Sequence, residues 1–368
     1  MRVSRVFVPS IAEAVLRLGI TSRVARSRWR TRRLLVLCYH GFATHDEHEW
    51  DPQLYLSPRT FRRRLEFLHR EGYCVLPLGE GLERLRAGDL PPKAIVLTVD
   101  DGFADFAEVA APILDEYHFP ATVYLTTYYV QHQMPVFNVA LRYVLWKGRT
   151  ASARSLPGDS VAHPGRDLAS AEGREALALS IIQNCESSNA SAEAKNDLLQ
   201  RIAAVMGVDW SSLVARRTLH LMAPAQISRL ARQVDFQLHT HRHHVPMDRT
   251  KFLREIADNR AALEAMLGSS GGRVHFCYPS GVHHSAFLPW LEEAGIQSAT
   301  TCEPGIAAAS IHPLLTPRFI DTEGVPQAVF AGWAAGLLPM LVRLVRGPVG
   351  QGRSAGGRDP ARNNHGRT

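Results

Sequence analysis

The sequence predicts an α/β protein in which about seven strands form a barrel that is interrupted by a helical insertion. Strand-like apolar runs alternate with helical segments from Leu34 to Ile320, which is typical of a parallel sheet. The most apolar run, Ala94 to Val99, has the nearly continuous hydrophobic character of a strand covered on both faces. Polar clusters follow several of these runs, and in parallel α/β folds functional groups gather at such strand ends.

The individual elements are predicted from apolar periodicity and from their boundary residues. Ser57 and Pro58 predict the start of a helix, since Ser is a favoured N-cap and Pro fits the first turn; this helix extends to about Arg70. Further helices are predicted after Gly102 to about residue 118 and over 224–232, 250–267 and 287–294. The predicted strands are 34–39, 73–77, 94–99, 121–126, 234–238, 274–278, 298–301 and 317–320.

The chain divides into segments of different composition. Residues 1–33 are predicted as a basic helical segment and residues 34–325 as the barrel, with a helical insertion at about 127–221. Residues 326–346 are predicted as a C-terminal helix that packs on the domain or lies at an interface. Residues 347–368, rich in Gly, Arg, Asn and Pro, are predicted as a disordered basic tail.

The charge of the protein is concentrated at its ends. The chain has 368 residues and a formal net charge of +7, and many of its Arg lie at 23–33 and 343–367. This pattern leaves two interpretations open: solvated flanks, or contact with an anionic membrane surface. No nucleic acid partner is expected.

Cysteine usage and the N-terminal sequence bear on location. The five Cys form no CxxC pair and are odd in number, which argues against a disulfide framework or a Cys-based zinc site. Residues 6–20 contain Pro9, Glu13 and Arg17, so no clean apolar core of a secretory signal is present. We therefore expect a cytoplasmic protein, either free or peripheral to the inner membrane.

Two polar clusters at strand ends indicate a metal centre. Asp100 and Asp101 directly follow the strand at 94–99, where adjacent carboxylates need a compensating cation unless they form an exposed turn. His239 and His243 follow the strand at 234–238, and on a helical turn their spacing places both imidazoles on one face. Two imidazoles and one carboxylate can hold a divalent cation with open positions for water and substrate. The second carboxylate is then available to accept a proton, which suits amide or ester hydrolysis.

These residues resemble the motifs of a known family. Thr98-Val99-Asp100-Asp101-Gly102 is similar to the TFDDG motif of polysaccharide deacetylases, the NodB homology domain of carbohydrate esterase family 4, and His239 to His243 resembles the H-[S/T]-x-x-H motif of that family. The resemblance implies a distorted (β/α)7 barrel that removes acetyl groups from N-acetylated sugars. It implies Asp100 as the general base and Asp101, His239 and His243 as ligands of a divalent metal, usually zinc, with cobalt or nickel as alternatives.

The third motif of the family, R-x-P-[F/Y]-G, is only partly present. Cys277 stands where the family has Arg, and Tyr278, Pro279, Ser280 and Gly281 follow it. Arg318 is predicted either to supply the missing guanidinium from the last strand or to form a structural ion pair. A backbone N–H near Ser280 is the expected oxyanion donor. His40, at the end of the first strand, is a candidate neighbour of the site, together with Tyr278 and Pro279.

Three functions are compatible with these motifs. The first is N-deacetylation of a polysaccharide, an oligosaccharide or a lipid-linked glycan. The second is hydrolysis of an O-acetyl ester at the same site. The third is a catalytically weakened barrel that binds a glycan without hydrolysing it.

Overall fold

The computed structural model describes residues 20–150, 157, 168–268 and 272–340. Within them the chain forms two compact units, a barrel unit (residues 20–127 and 224–340) and a helical unit (residues 128–223). Most of the predicted N-terminal segment and the whole predicted tail at 347–368 lie outside the described residues. Among the described residues, no helix combines the length and the apolar character needed to cross a membrane.

The barrel unit is built on a closed ring of seven parallel strands. The strands are β1 (Arg33–Tyr39), β2 (Gly41–Phe42), β3 (Tyr55–Leu56), β4 (Cys74–Val75), β5 (Ala94–Asp101), β6 (Ala121–Leu125), β7 (Val234–Leu238), β8 (His275–Cys277), β9 (Ser298–Pro304), β10 (Ala307–Ala308) and β11 (Thr316–Ile320). Seven of them pair in the order β1-β5-β6-β7-β8-β9-β11, and β11 pairs in turn with β1, which closes the ring. This arrangement confirms the predicted (β/α)7 barrel.

The helices begin and end where local chemistry favours it. Ser57 accepts a hydrogen bond from the Thr60 N–H at the start of the helix Pro58–Arg70, and Asp248 caps the helix Arg249–Leu267 through the Lys251 N–H. The helices are α1 (Ile20–Ala25), α2 (Glu47–Trp50), α3 (Pro58–Arg70), α4 (Leu78–Ala87), α5 (Ala111–Glu116), α6 (Tyr128–His132), α7 (Phe137–Lys147), α8 (Ala171–Ser187), α9 (Ala192–Val205), α10 (Trp210–Ala215), α11 (Pro224–Leu230), α12 (Arg249–Leu267), α13 (Phe287–Glu293) and α14 (Gln327–Ala334).

Two predicted helices differ from the observed ones. The helix expected after Gly102 begins as a π-helical turn, Phe106–Ala110, before α5. Pro112 has no N–H to donate to the preceding turn, which favours an irregular hydrogen-bond pattern at this point. The C-terminal helix is interrupted after Ala334, because Gly336 adopts φ 82°, and residues 341–346 lie outside the described residues.

The helical unit contains α6 to α10. Its segment around Pro135 bridges His220 in antiparallel fashion, and the Val136 N–H donates to the Leu219 carbonyl. His220 is only 3% exposed, and its Nδ1 lies 3.0 Å from the Thr218 carbonyl oxygen. Burial lowers the pKa of His220 to about 4, because the charged imidazolium loses its hydration.

This buried histidine predicts a loss of stability in mild acid. In the unfolded chain His titrates near pH 6.5, so between about pH 6.5 and 4 the unfolded state binds a proton that the folded state does not. The stabilisation is complete above pH 6.5, and we expect about 2 kcal/mol of it to be lost by pH 5. Urea unfolding of the wild type and His220→Gln at pH 7.5 and 5 measures this, because the variant should lose less stability. Equal losses in the two proteins would contradict the assignment.

Candidate metal centre and catalytic site

The two adjacent carboxylates lie at the C-terminal end of the central strand β5. Asp100 is the last residue with extended backbone, whereas Asp101 adopts φ 67° and Gly102 φ 83°. The Gly102 N–H donates to the Asp100 carbonyl oxygen over 2.8 Å, which closes the turn. This change of backbone conformation explains how neighbouring side chains reach different partners.

The histidine segment after β7 is a loop of bends, so the expected helical turn is wrong. Thr240 and His243 have φ 61° and 55°, which no α-helix permits, and the Thr240 hydroxyl accepts a hydrogen bond from the His244 N–H over 3.0 Å. Nevertheless the loop brings the rings of His239 and His243 together, with centroids 4.9 Å apart. The sequence spacing identified the histidine pair, but a loop with left-handed residues, and not a helical turn, brings the two rings together.

Asp101, His239 and His243 form a donor set that fits a divalent cation. Asp101 Oδ1 lies 3.2 Å from the Nε2 atoms of both His239 and His243. Ligand bonds of about 2.0–2.2 Å place neighbouring donor atoms roughly 3 Å apart, so the spacing suits one shared ion. His239 Nδ1 lies 2.9 Å from the Cys277 carbonyl oxygen, and donation there leaves the Nε2 lone pair for the ion.

Asp101 is suited to act as an ionised ligand. Burial alone would raise the pKa of its carboxyl group. The imidazoles of His243 and His239 more than offset this effect and hold the pKa well below its usual range. The carboxylate therefore carries its negative charge in the pH range where a cation would bind.

Helix α12 holds the histidine loop in place. Asn259, which is fully buried, accepts from the His239 N–H over 2.9 Å and donates to the Leu125 carbonyl and the Thr127 hydroxyl. Glu255 accepts from the Arg242 N–H and from its guanidinium, both over 2.8 Å. Neither residue was identified from the sequence. A signal existed, since an Asn and a Glu on the apolar face of an amphipathic helix need polar partners.

Asp100 is held by a bidentate ion pair with Arg318. The two guanidinium nitrogens lie 2.7 Å from Asp100 Oδ1 and Oδ2. Arg318 is fully buried, and it is oriented by further hydrogen bonds to the Thr98 hydroxyl and the Thr301 carbonyl. Arg318 was predicted either to supply the guanidinium missing from the third motif or to form a structural ion pair. Its guanidinium lies on Asp100, which is the position that the first of these roles needs.

Cys277 and Cys38 complete the surroundings of Asp100. The Cys277 thiol lies 3.1 Å from an Arg318 nitrogen and 3.3 Å from Asp100 Oδ2, and Cys38 Sγ lies 3.6 Å from the same oxygen. Cys277 stands where the family motif has Arg, so the small thiol leaves room for the guanidinium that enters from β11. No sequence signal pointed to Cys38.

The environment of Asp100 keeps it ionised. Burial alone would raise the pKa of this carboxyl group, but the Arg318 guanidinium outweighs burial and lowers the pKa well below its usual range. His40 lies nearby, with Nε2 3.8 Å from Asp100 Oδ2 and a side chain that is 20% exposed. It is thus the neighbour of Asp100 that also faces solvent.

The residues of the third motif have unequal positions. Tyr278 is fully buried, and its hydroxyl donates to the Leu314 carbonyl oxygen over 3.1 Å, so its side chain has a packing role. Pro279 is buried in the 3₁₀ turn Pro279–Gly281. Ser280 is exposed in that turn with φ 53°. The oxyanion role of its backbone stays a prediction.

Non-glycine residues with left-handed backbone conformation cluster around the site. They are Asp101, Thr240, His243 and Ser280. Each such residue costs of order 1 kcal/mol or more, and such conformations are concentrated at functional sites. Because of these backbone conformations, the Asp101 carboxylate and the His243 imidazole point in directions that a regular strand or helix would not give them.

Fold and site together define an α/β barrel with a two-histidine, one-carboxylate donor set at the C-terminal ends of its strands. A sequence model of the family described as "Polysaccharide deacetylase" matches residues 87–161. The poly-beta-1,6-N-acetyl-D-glucosamine N-deacetylase of Escherichia coli (strain K12) is 32% identical over 103 residues, which are 27% of this chain and 15% of that relative's length. The resemblance to polysaccharide deacetylases that the motifs predicted is confirmed over residues 87–161, which include Asp100 and Asp101.

Solved structures share the fold. The Streptococcus pyogenes deacetylase PplD, solved in complex with acetate, superposes with a TM-score of 0.52 at 19% identity, covering 79% of this chain and 93% of PplD. IcaB from Ammonifex degensii gives a TM-score of 0.51 at 16% identity, covering 82% of this chain and 97% of IcaB. At this level of identity the likeness concerns the fold.

Proposed function

We propose that the protein is a metal-dependent hydrolase that removes acetyl groups from N-acetylated sugars of a glycan. The observation that carries this proposal is the pairing of two groups at the end of β5: the Asp101–His239–His243 donor set and the Arg318-held carboxylate of Asp100. One site supplies ligands and the other supplies an ionised base. This division is what hydrolysis of an unactivated amide requires.

The chain's own groups have distinct tasks in the proposed reaction. Asp101, His239 and His243 would hold the cation, which when bound supplies Lewis-acid polarisation of the acetyl carbonyl and acidifies water. Asp100 accepts a proton from the water whose oxygen attacks the carbonyl carbon. His40, beside Asp100 and partly exposed, is the group that can deliver a proton to the departing sugar nitrogen as the C–N bond breaks.

The donor types favour zinc among the common cations. Neutral imidazole binds zinc and neighbouring transition metals well, whereas magnesium and calcium prefer all-oxygen sets. Cobalt or nickel would fit the same ligands. The ion pair between Arg318 and Asp100 also argues against a weakened barrel that only binds glycan, because Arg318 can supply the guanidinium that the third motif lacks.

The substrate proposal rests on the resemblance to polysaccharide deacetylases together with the site. The Escherichia coli relative is named for poly-beta-1,6-N-acetyl-D-glucosamine, so an N-acetylated glucosamine polymer is the first substrate to assay. A lipid-linked glycan is the second. Hydrolysis of O-acetyl esters would use the same groups, and we treat it as an outcome of the assay.

We expect the purified full-length chain to contain a stoichiometric transition metal and to release acetate from N-acetylglucosamine oligomers. Removal of the metal by a chelator should abolish acetate release, and added zinc should restore it, because the proposed reaction needs the cation to polarise the acetyl carbonyl and to acidify water. Elemental analysis and an acetate assay measure both. Acetylated xylan serves as the O-acetyl control. Absence of stoichiometric metal, with thermal stability unchanged by chelation, would contradict the proposal.

We also propose that the protein acts in the cytoplasm. All five cysteines are free, and two of them, Cys38 and Cys277, lie against the proposed base, which suits a reducing compartment. Cell fractionation tests this, and recovery of the protein in the periplasm would contradict it.

A further inference from the structure

The N-terminal side of the barrel unit carries a strongly basic surface outside the proposed catalytic site. The segment 20–33 contains six Arg and no acidic residue. Arg28, Trp29, Arg32 and Arg33 line an open cavity of about 550 Å³ together with Ala308, Ala309 and Ser310. We name this set the cationic surface. None of its lining residues carries a carboxylate.

The two outermost guanidiniums of this surface face solvent. Arg28 and Arg32 are exposed. Neither takes part in the ion pairs formed by the described residues. Arg33 lies over the Trp29 ring, with its guanidinium carbon 4.4 Å from the ring centroid, and donates to the Trp29 carbonyl over 2.7 Å. The cationic surface is therefore ordered around one aromatic ring.

Arg30 fixes this segment to the barrel from below. It is fully buried, and it donates to the carbonyl oxygens of Arg33, Ala94 and Ala334 over 2.7, 2.8 and 3.2 Å. These contacts join the segment to β1, to β5 and to the end of α14. A folded base for the exposed arginines distinguishes the cationic surface from a solvated flank, which was the other interpretation of the charge.

The turn at Gly336 lies against the aromatic ring of the cationic surface. A Cβ at Gly336 would be 2.8 Å from the Trp29 ring. Trp29 itself is half-buried. Arginines beside a tryptophan suit an anionic lipid surface, because the ring can enter the interface while the arginines meet phosphates.

The geometry points to a docking surface for anionic phospholipid headgroups, and we propose that the cationic surface holds the protein on such a membrane. β1 starts at Arg33 and ends beside the site at Tyr39, so its seven residues separate the two regions by about 20 Å. The proposed catalytic site lies at the opposite strand end, where it stays accessible to a glycan from the aqueous side.

Vesicle sedimentation of the full-length chain tests this proposal. We expect binding to vesicles that contain phosphatidylglycerol and none to pure phosphatidylcholine, with binding weakened by salt. Each arginine near such a surface contributes about 1 kcal/mol, so Arg28→Gln with Arg32→Gln should weaken binding roughly 30-fold. The matched control, Arg59→Gln with Arg63→Gln, removes two exposed charges from α3 and should change it less than about 3-fold.

Acetate release from a soluble oligomer, measured in parallel, should be unchanged in both double variants, which separates this proposal from that of the catalytic site. Equal vesicle binding by the wild type and the Arg28/Arg32 variant would overturn the docking surface. It would also be overturned if inorganic phosphate or single-stranded RNA, but not vesicles, bound in a manner that depends on these two arginines.

Discussion

Asp100→Asn and Asp101→Asn should both lower activity strongly, but for different reasons. Asp100 is not one of the three proposed metal ligands; its carboxylate lies beside Arg318, Cys277 and His40. Its amide variant should keep the metal and lower kcat by roughly 10²–10⁴-fold, since an amide cannot accept the proton. Asp101 Oδ1 is the one oxygen that lies 3.2 Å from both imidazoles, so its amide variant should lose metal affinity first.

The measurement is metal content after dialysis, followed by kcat at saturating zinc. Excess zinc should restore part of the activity of Asp101→Asn and none of that of Asp100→Asn. Equal metal loss in both variants would refute the division of roles, as would recovery of both by added zinc.

The barrel and the main site residues were predictable because their signals are local. Buried strands such as Ala94 to Val99 show as apolar runs, and functional groups of parallel folds follow strand ends, which is where Asp100, Asp101 and His239 stand. The Ser57-Pro58 helix start is also local chemistry, and the structure places it at the predicted residues.

Other features depend on contacts between distant residues and were not predictable. The helix Leu78–Ala87 is not among the predicted elements, and its Gly79 and Gly81 have low helix propensity. In the fold, a Cβ at Gly81 would lie 2.8 Å from Val96, so close packing against the barrel both requires the glycine and stabilises the helix. Likewise Asn259 contacts His239, which is 20 residues away in sequence, and Cys38 contacts Asp100, which is 62 residues away. No sequence pattern indicates either contact.

Arg318→Ala should remove most of the activity even though Arg318 is outside the donor set. Without the guanidinium, burial is opposed only by the smaller effects of His40 and His239 on the pKa of Asp100, and burial can raise the pKa of a carboxyl group by up to about 3–5. Asp100 would then be largely protonated near neutral pH, which lowers activity by roughly 10²-fold at pH 7. The acid limb of the pH–rate profile should move to higher pH, and activity should partly return as the pH is raised.

A second substitution tests whether Arg318 on β11 has the role that the family motif gives to an Arg at the position of Cys277 on β8. Cys277 lies 3.1 Å from the Arg318 nitrogen and 3.3 Å from Asp100, so Cys277→Arg in the Arg318→Ala background places a guanidinium where the family motif has it. We expect the acid limb to return toward its wild-type position, with part of kcat/KM. Cys277→Arg alone is the control: it forces two guanidiniums into one buried space and should lower thermal stability. A wild-type pH profile in Arg318→Ala would contradict the argument, because the charge that keeps Asp100 ionised would then have to come from elsewhere.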